Sequence, residues 1–453
     1  MTWPLRILFA CGQLGVMALI RFFFSWSLKF SDQQSASGEL LFTASMVGLA
    51  LLFARLLDGG VDPFIGRAAD AWVRKGKDRR AFLLMSFATP PLGIVLCFYP
   101  GFDNGSVVRW ILLGTGMVIL FTGYSFYSIP YWSLIEDYAG KDAKERGILS
   151  NFLGAGLLLS VAVVSTLSPK LIGDFGYRTT AFLFAGAAFV LMLLPIFARP
   201  RKAPGAPPHH ASASTDPSSD RASSAASSPT PSAAPEGVWV ELLAVVKHRR
   251  FMSMLVLFCG SQMALSMITS AAPFIVERLL GGTDRDVAKV MTPFLGTAIP
   301  FFIFAPAISR RLGWQRAMLM ACAGLVIVYV GTGLLGASII GTPMTTAMIV
   351  FGMGGPMVAI LLGVEAEAIV DCARESGRAS IGMYFGVANF MIQVLNGVAT
   401  FIIGLLVTAS RTPGREVLMT RMMSISAGLL LVVGIVLFLV IRPRAGASVA
   451  STI

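Results

Sequence analysis

The chain has 453 residues, of which 55% are hydrophobic and only 13% are charged, and its formal net charge is +12. Because a water-soluble domain carries about 25% charged residues, this composition excludes an ordinary soluble protein and predicts a polytopic membrane protein. The basic residues lie in separate loops and form no stripe, so their excess does not indicate a nucleic-acid partner.

Apolar runs long enough to cross a bilayer follow one another along the chain in two sets of six. The first set lies near residues 5–28, 39–63, 80–100, 107–134, 148–168 and 179–198. The second set lies near residues 250–276, 288–309, 315–337, 344–368, 380–409 and 419–441. The sequence therefore predicts an all-α membrane protein with twelve transmembrane helices.

The spacing of these runs also predicts the domains. Residues 1–198 form an N-terminal six-helix bundle and residues 250–441 a C-terminal one, while residues 442–453 form a tail. Residues 199–249 form a linker, whose first part is rich in Pro, Ala and Ser and cannot bury enough apolar surface to fold. The linker ends in a short amphipathic segment. We expect the protein to act as a monomer.

Lysine and arginine are concentrated in the loops that lie on the same side of the membrane as the N-terminus. The positive-inside rule then places both termini and the central linker in the cytoplasm. The expected location is the inner, or plasma, membrane of the cell, with multiple passes.

Three ionisable residues interrupt the second apolar run. Arg55, Asp58 and Asp62 are spaced by three and four positions, so they project from one face of a helix. A charge at membrane depth costs at least ~2.5–3.5 kcal/mol, so this face must meet protein or water. Two carboxylates against one arginine leave a surplus acid, which favours a cation or proton site at Asp58 and Asp62. The alternatives are a structural ion-pair network and a helix cap at Asp62.

Three strings carry a family resemblance. Residues 54–70 read ARLLDGGVDPFIGRAAD, residues 127–134 read YSIPYWSL, and residues 367–386 read EAIVDCARESGRASIGMYFG. Together with the six-plus-six arrangement, these strings resemble the glycoside–pentoside–hexuronide:cation symporter family of the major facilitator superfamily. The resemblance implies the major facilitator fold and a cation-coupled secondary transporter that works by alternating access.

The resemblance also implies roles for single residues. Asp58 and Asp62 match the cation carboxylates of the family, and Arg55 matches the arginine beside them. Tyr124 and Trp132 match positions that line the central cavity. Ser128 departs from the pattern because the best-known members have an aspartate there, which leaves a familiar sugar site incomplete.

Three further polar residues stand in apolar helices. Arg21 in the first helix is costly to bury, which favours a place in the cavity with a partner such as Asp58 or a substrate anion. Gln393 and Asn396 are three apart in the eleventh helix. They could bind substrate, or they could form interhelical hydrogen bonds worth about 0.6 kcal/mol each.

Charged residues at the cytoplasmic ends of the helices are candidates for a gate. This candidate cytoplasmic gate comprises Asp70, Arg74, Glu136, Arg146 and Asp371. Pairs among such residues could hold one conformation of the carrier. The alternative is that they only solvate the membrane interface.

The first functional hypothesis is symport of a small organic solute, sugar-like or other, with Na⁺ or H⁺. The alternatives are a proton-driven exporter of lipophilic compounds, a lysolipid transporter, and a membrane receptor or scaffold that transports nothing. The sequence offers no nucleophile–base–acid arrangement, no nucleotide motif and no metal-ligand spacing. We therefore expect no enzyme activity, no cofactor and no metal beyond Na⁺; the partners are a small-molecule substrate and membrane lipid.

Overall fold

A computed structural model describes residues 2–139, 143–198, 238–336, 341–376 and 381–442. Helices make up almost all of these residues. The first half contains α1 (Trp3–Ser31), α2 (Ala44–Arg74), α3 (Arg79–Ser86), α4 (Thr89–Phe98), α5 (Ser106–Ala139) and α6 (Ala143–Leu193). The second half contains α7 (Val238–Lys247), α8 (Arg249–Leu280), α9 (Asp286–Leu312), α10 (Trp314–Gly333), α11 (Pro343–Ser376), α12 (Ile381–Ser410) and α13 (Glu416–Ile441).

The described residues contain 11 helical stretches that are long and apolar enough to cross a membrane. The short helices α3 and α4 together form one of them, Arg79–Phe98. The stretch Phe152–Phe197 has 46 residues, and its helix is broken at Gly176, where φ is 76°. Only glycine adopts such a φ readily, so Gly176 can end one span and start the next. Counted on both sides of this break, the spans number twelve, which confirms the predicted fold class.

The two halves pack backbone to backbone where α2 meets α12. A Cβ atom at Gly404 of α12 would lie 2.5 Å from the carbonyl oxygen of Ala44, and one at Gly48 of α2 would lie 2.8 Å from the Cα atom of Phe401. Small residues at these positions let transmembrane helices approach closely. The close approach brings polar residues of α12 against the charged face of α2.

Ion pairs join the two halves at the face of the bundle opposite the N-terminus. Asp32, which follows α1, accepts hydrogen bonds from Arg278 of α8 at 3.1 Å and from Arg411, which follows α12, at 2.9 Å. The pairs Lys29–Glu277 and Asp174–Arg285 also cross between the halves there. We call Asp32, Arg278 and Arg411 the opposite-face latch.

At the face that carries the N-terminus, the ion pairs found in the described part of the chain stay within one half. Arg6 pairs with Glu145 in the first half, and Arg250 pairs with Asp371 in the second. The conformation is thus one in which the halves are tied together at the opposite face.

Candidate functional site

Asp58 is held by its own half of the molecule. One carboxylate oxygen accepts a hydrogen bond from Nη1 of Arg55 at 3.0 Å, and the other accepts one from Oγ of Ser125 at 2.6 Å. The residue is only 1% exposed. Both of its oxygens therefore have donors, and the sequence spacing that placed Arg55 beside Asp58 corresponds to a real ion pair.

The guanidinium of Arg55 lies between aromatic rings. Its central carbon is 4.1 Å from the ring centroid of Phe121 and 4.9 Å from that of Phe24. Such contacts attract a cation, and they strengthen when water is excluded. Arg55 and Asp58 thus form a buried, paired and packed unit.

Asp62 has a different environment. Its Oδ2 atom accepts a hydrogen bond from Nε2 of Gln393 at 3.3 Å, and this contact joins α2 in the first half to α12 in the second. Its Oδ1 atom is buried, as are Oε1 of Gln393 and Oδ1 of Asn396, and none of the three has a hydrogen-bond partner among the described residues. Buried acceptors of this kind ordinarily have a donor or a cation beside them.

The chemistry of the unpartnered oxygens is suited to a proton or a hard cation. A protonated carboxyl at Asp62 could donate a hydrogen bond to the free amide oxygen of Gln393 or Asn396. Hard cations bind carboxylate and amide oxygens. Within the described ranges, no three His, Cys, Asp or Glu side chains are grouped so that they could hold a metal ion. Neutral oxygens would therefore have to complete any cation site at Asp62.

Ser125 is a site residue that sequence analysis missed. The departure from the family pattern drew attention to Ser128, which is buried one turn further along α5. Phe121, Ser125 and Ser128 recur at spacings of four and three, which is one face of a helix. That periodicity was the available signal, but only the packing of α5 against α2 shows that Ser125 reaches Asp58.

The central cavity lies between the halves, and Arg21 of α1 lines it. The lining is mostly apolar and comes from α1, α6, α8, α9, α10 and α11. Of Arg21, Tyr124, Trp132, Gln393 and Asn396, the five predicted cavity residues, Arg21 alone is among the described residues that border it. No described residue forms a hydrogen bond or ion pair with Arg21, so it is not paired with Asp58 in this conformation.

Trp132 and Tyr124 are not among the described residues that line the cavity. The indole nitrogen of Trp132 donates to Oε1 of Gln13 at 2.9 Å, and its ring meets the ring of Tyr124 edge to face at 6.3 Å.

Tyr127 and Tyr131 are fully buried, and their hydroxyls donate to the carbonyl oxygens of Met192 and Phe9. These two tyrosines therefore serve helix packing.

The candidate cytoplasmic gate is described only in part. The side chains of Asp70, Arg74, Glu136 and Arg146 lie outside the described residues. Asp371 accepts hydrogen bonds from Arg250 at 2.9 Å and from the indole of Trp314 at 2.8 Å, and all three belong to the second half.

At the same face, the hydrogen bond from Arg6 lowers the pKa of Glu145.

Two helical halves around a central cavity, with a charged face where the halves meet, define a membrane transporter of the major facilitator fold. Residues 8–442 match the family described as MFS/sugar transport protein, and the chain belongs to that family. The match covers nearly the whole chain and agrees with the resemblance seen in the sequence. No curated protein matches the chain.

Solved structures of transporters share the fold. A bacterial homolog of the human lysosomal transporter Spinster, in an inward-facing and unoccupied conformation, is 13% identical with a TM-score of 0.69; the alignment covers 97% of this chain and 98% of that one. The nucleoside transporter NupG is 15% identical with a TM-score of 0.59, covering 95% and 98% of the two chains. At these identities, the likeness concerns the fold alone.

Proposed function

We propose that the protein is a cation-coupled secondary transporter that carries a small organic solute through the cavity between its halves. H⁺ or Na⁺ is taken up at Asp62, and the protein acts as a monomer without a cofactor. The observation that carries the proposal is the buried Oδ1 atom of Asp62, which lacks a partner among the described residues and lies beside a hydrogen bond to Gln393 of the other half.

The position of Asp62 supplies the coupling. Because its hydrogen bond crosses between the halves, a proton or cation that neutralises the carboxylate changes a contact that differs between conformations of the carrier. A ligand shifts a conformational equilibrium only through such a difference in affinity. Substrate and ion would then raise each other's affinity by the same factor.

Asp58 and Arg55 have a supporting role in this proposal. Their ion pair is complete without an added cation, so Asp58 positions the charged face of α2 while Asp62 exchanges the ion. Ser125 holds the second oxygen of Asp58. This division refines the sequence hypothesis, which gave both carboxylates the same role.

We also propose the orientation that the basic loops predict. With both termini in the cytoplasm, the opposite-face latch lies at the outer surface and the present conformation faces inward. The candidate cytoplasmic gate would close at the other surface when the latch opens. Labelling of single cysteines at the two faces of intact cells tests this orientation.

Uptake into vesicles tests the transport proposal. Purified protein is reconstituted, and a panel of radiolabelled solutes is screened under an inward gradient of H⁺ or of Na⁺. We expect the wild type to accumulate solute only when one of the gradients is present. Asp62→Asn should lose this accumulation but still carry solute down its own concentration gradient. A variant Asp62→Asn that still concentrates solute would contradict the role of Asp62.

A second candidate is proton-driven export of lipophilic compounds, and the apolar lining of the cavity favours it. The same carboxylate would serve, with protons entering from outside while the compound leaves. The direction of the proton gradient distinguishes the two, because symport predicts accumulation under an inward gradient and proton-exchange export predicts it only under an outward gradient.

A further inference from the structure

We infer that the central cavity binds an organic anion with an apolar body, whose negative group pairs with Arg21. The inference rests on the proposed transport function and assigns the chemical class of the substrate.

Arg21 places a positive charge at the cavity that no described residue compensates. It lies within α1, a span of 29 residues, and no described carboxylate pairs with it. Ions inside a membrane protein are normally paired, and in this proposal a bound molecule supplies the counter-charge for Arg21.

Tyr329 provides a second free polar group on the far wall. It belongs to α10 of the second half, lines the same cavity and is only 3% exposed. Its hydroxyl has no hydrogen-bond partner among the residues that the structure describes. A ligand that meets both Arg21 and Tyr329 would contact both halves, as the substrate of an alternating-access carrier must.

Four other hydroxyl side chains line the wall: Ser25 and Ser165 have no hydrogen bond to a described residue, whereas the two threonines are less available to a ligand. The hydroxyls of Thr269 and Thr332 donate to carbonyl oxygens of their own helices, Leu265 and Val328. Beyond Arg21, Tyr329 and these two serines, the described wall is mostly apolar, whereas a neutral sugar needs donors and acceptors around each of its hydroxyls. An apolar body, by contrast, loses little on entering such a surface.

The cavity limits the size of its occupant in this conformation. Its volume is ≈ 60 Å³, whereas sites for drug-sized ligands enclose about 300–1,000 Å³. At about 30 Å³ per water molecule this space holds roughly two waters, so an anion with an apolar chain enters only when the halves part. The shared chemistry is one carboxylate, sulfonate or phosphate group attached to an apolar chain.

Binding to purified protein in nanodiscs tests the inference. The probes are hexanoate, hexanesulfonate and hexyl phosphate, with hexanamide and hexylamine as neutral and cationic controls, and the readout is the shift in unfolding temperature. We expect at least one anion to stabilise the wild type, with roughly tenfold or greater preference over hexanamide, because charge-assisted pairs are the stronger ones. Equal binding of hexanamide, or no shift with any of the three anions, would overturn the inference.

Variants assign the effect to Arg21. Arg21→Gln should weaken anion binding at least roughly tenfold, Arg21→Lys should restore part of it, and Tyr329→Phe should weaken it less. Anion binding that survives unchanged in Arg21→Gln would contradict the assignment. Arg21→Lys retains the charge, so it separates loss of pairing from a failure to fold.

The outcome for the transport proposal is measured separately. If anion binding is absent but ion-dependent stabilisation through Asp62 persists, the substrate class is wrong and the coupling site stands. If anion binding depends on Arg21 but Asp62→Asn leaves ion responses intact, the coupling proposal fails and the anion site stands.

Discussion

Asp58 and Asp62 are four residues apart on α2, but their surroundings differ. Asp58 accepts hydrogen bonds at both oxygens, while one oxygen of Asp62 has no partner in the described part of the structure. The difference supports the proposal that one carboxylate stabilises the helix face and the other exchanges an ion. Single substitutions can separate these two roles.

We predict that Asp58→Asn destabilises the protein by about 3–5 kcal/mol, the cost of leaving a buried partner charge unpaired. Arg55 is that partner, and it is 4% exposed. Asp62→Asn should change stability much less, because Asp62 forms no ion pair with a described residue. The measurement is the unfolding temperature of both variants in the same detergent.

A double variant provides the matched control. In Arg55→Met with Asp58→Leu, both charges are absent, so much of the stability lost in Asp58→Asn should return. Equal destabilisation by Asp58→Asn and Asp62→Asn would contradict the division of roles.

At the scale of the helices, the approach of α2 to α12 is what brings Gln393 to Asp62. We predict that Gly404→Ala costs about 1–3 kcal/mol, as overpacking does, and reduces ion-driven accumulation. The added Cβ would lie 2.5 Å from a backbone oxygen, which cannot rotate away. The measurements are the unfolding temperature and the rate of solute accumulation.

Gly386 supplies the control on the same helix. Nothing lies within 4 Å of a Cβ atom placed there, and alanine favours a helix by up to about 1 kcal/mol over glycine. Gly386→Ala should therefore be neutral or stabilising. If both variants behave alike, close packing of α2 and α12 is not what positions Gln393.

The pair Arg6–Glu145 links α1 to the start of α6 and gives a prediction about pH. The hydrogen bond from Arg6 lowers the pKa of Glu145, so the pair stabilises the fold above the ordinary pKa of a glutamate. This contribution, at most about 1 kcal/mol, is lost as the pH falls through the lowered pKa. Glu145→Gln should lower the unfolding temperature at neutral pH and leave it unchanged in acid. A difference that persists in acid would contradict this account.

At the scale of the whole molecule, the opposite-face latch ties the halves together through one carboxylate. We predict that Asp32→Ala shifts the carrier away from this conformation, because Arg278 and Arg411 lose their shared acceptor. Distances between spin labels at the two halves of that face should lengthen. Asp103→Asn is the control, since Asp103 is exposed and no described residue forms an ion pair with it. Unchanged distances in Asp32→Ala would show that the latch does not hold the closed face.

The sequence predicted what depends on local periodicity. The twelve spans follow from apolar runs, and the pairing of Arg55 with Asp58 follows from a spacing of three on one helix. Ser125, Gln393 beside Asp62, and the latch at Asp32 depend instead on how helices far apart in the chain pack. The partners in these contacts are separated by 67, 331 and, for Asp32, 246 and 379 residues, so no local pattern could reveal them.

The central claim is that Asp62 takes up the coupling ion, and thermal stability tests it before any substrate is known. The unfolding temperature of the purified protein is measured with and without Na⁺ across a range of pH, for wild type, Asp62→Asn and Asp103→Asn. An ion that binds only the folded state at 100 times its Kd adds about 2.7 kcal/mol of stability. We predict a dependence on Na⁺ or on pH that Asp103→Asn retains and Asp62→Asn loses. The same ion response in Asp62→Asn as in wild type would contradict the claim.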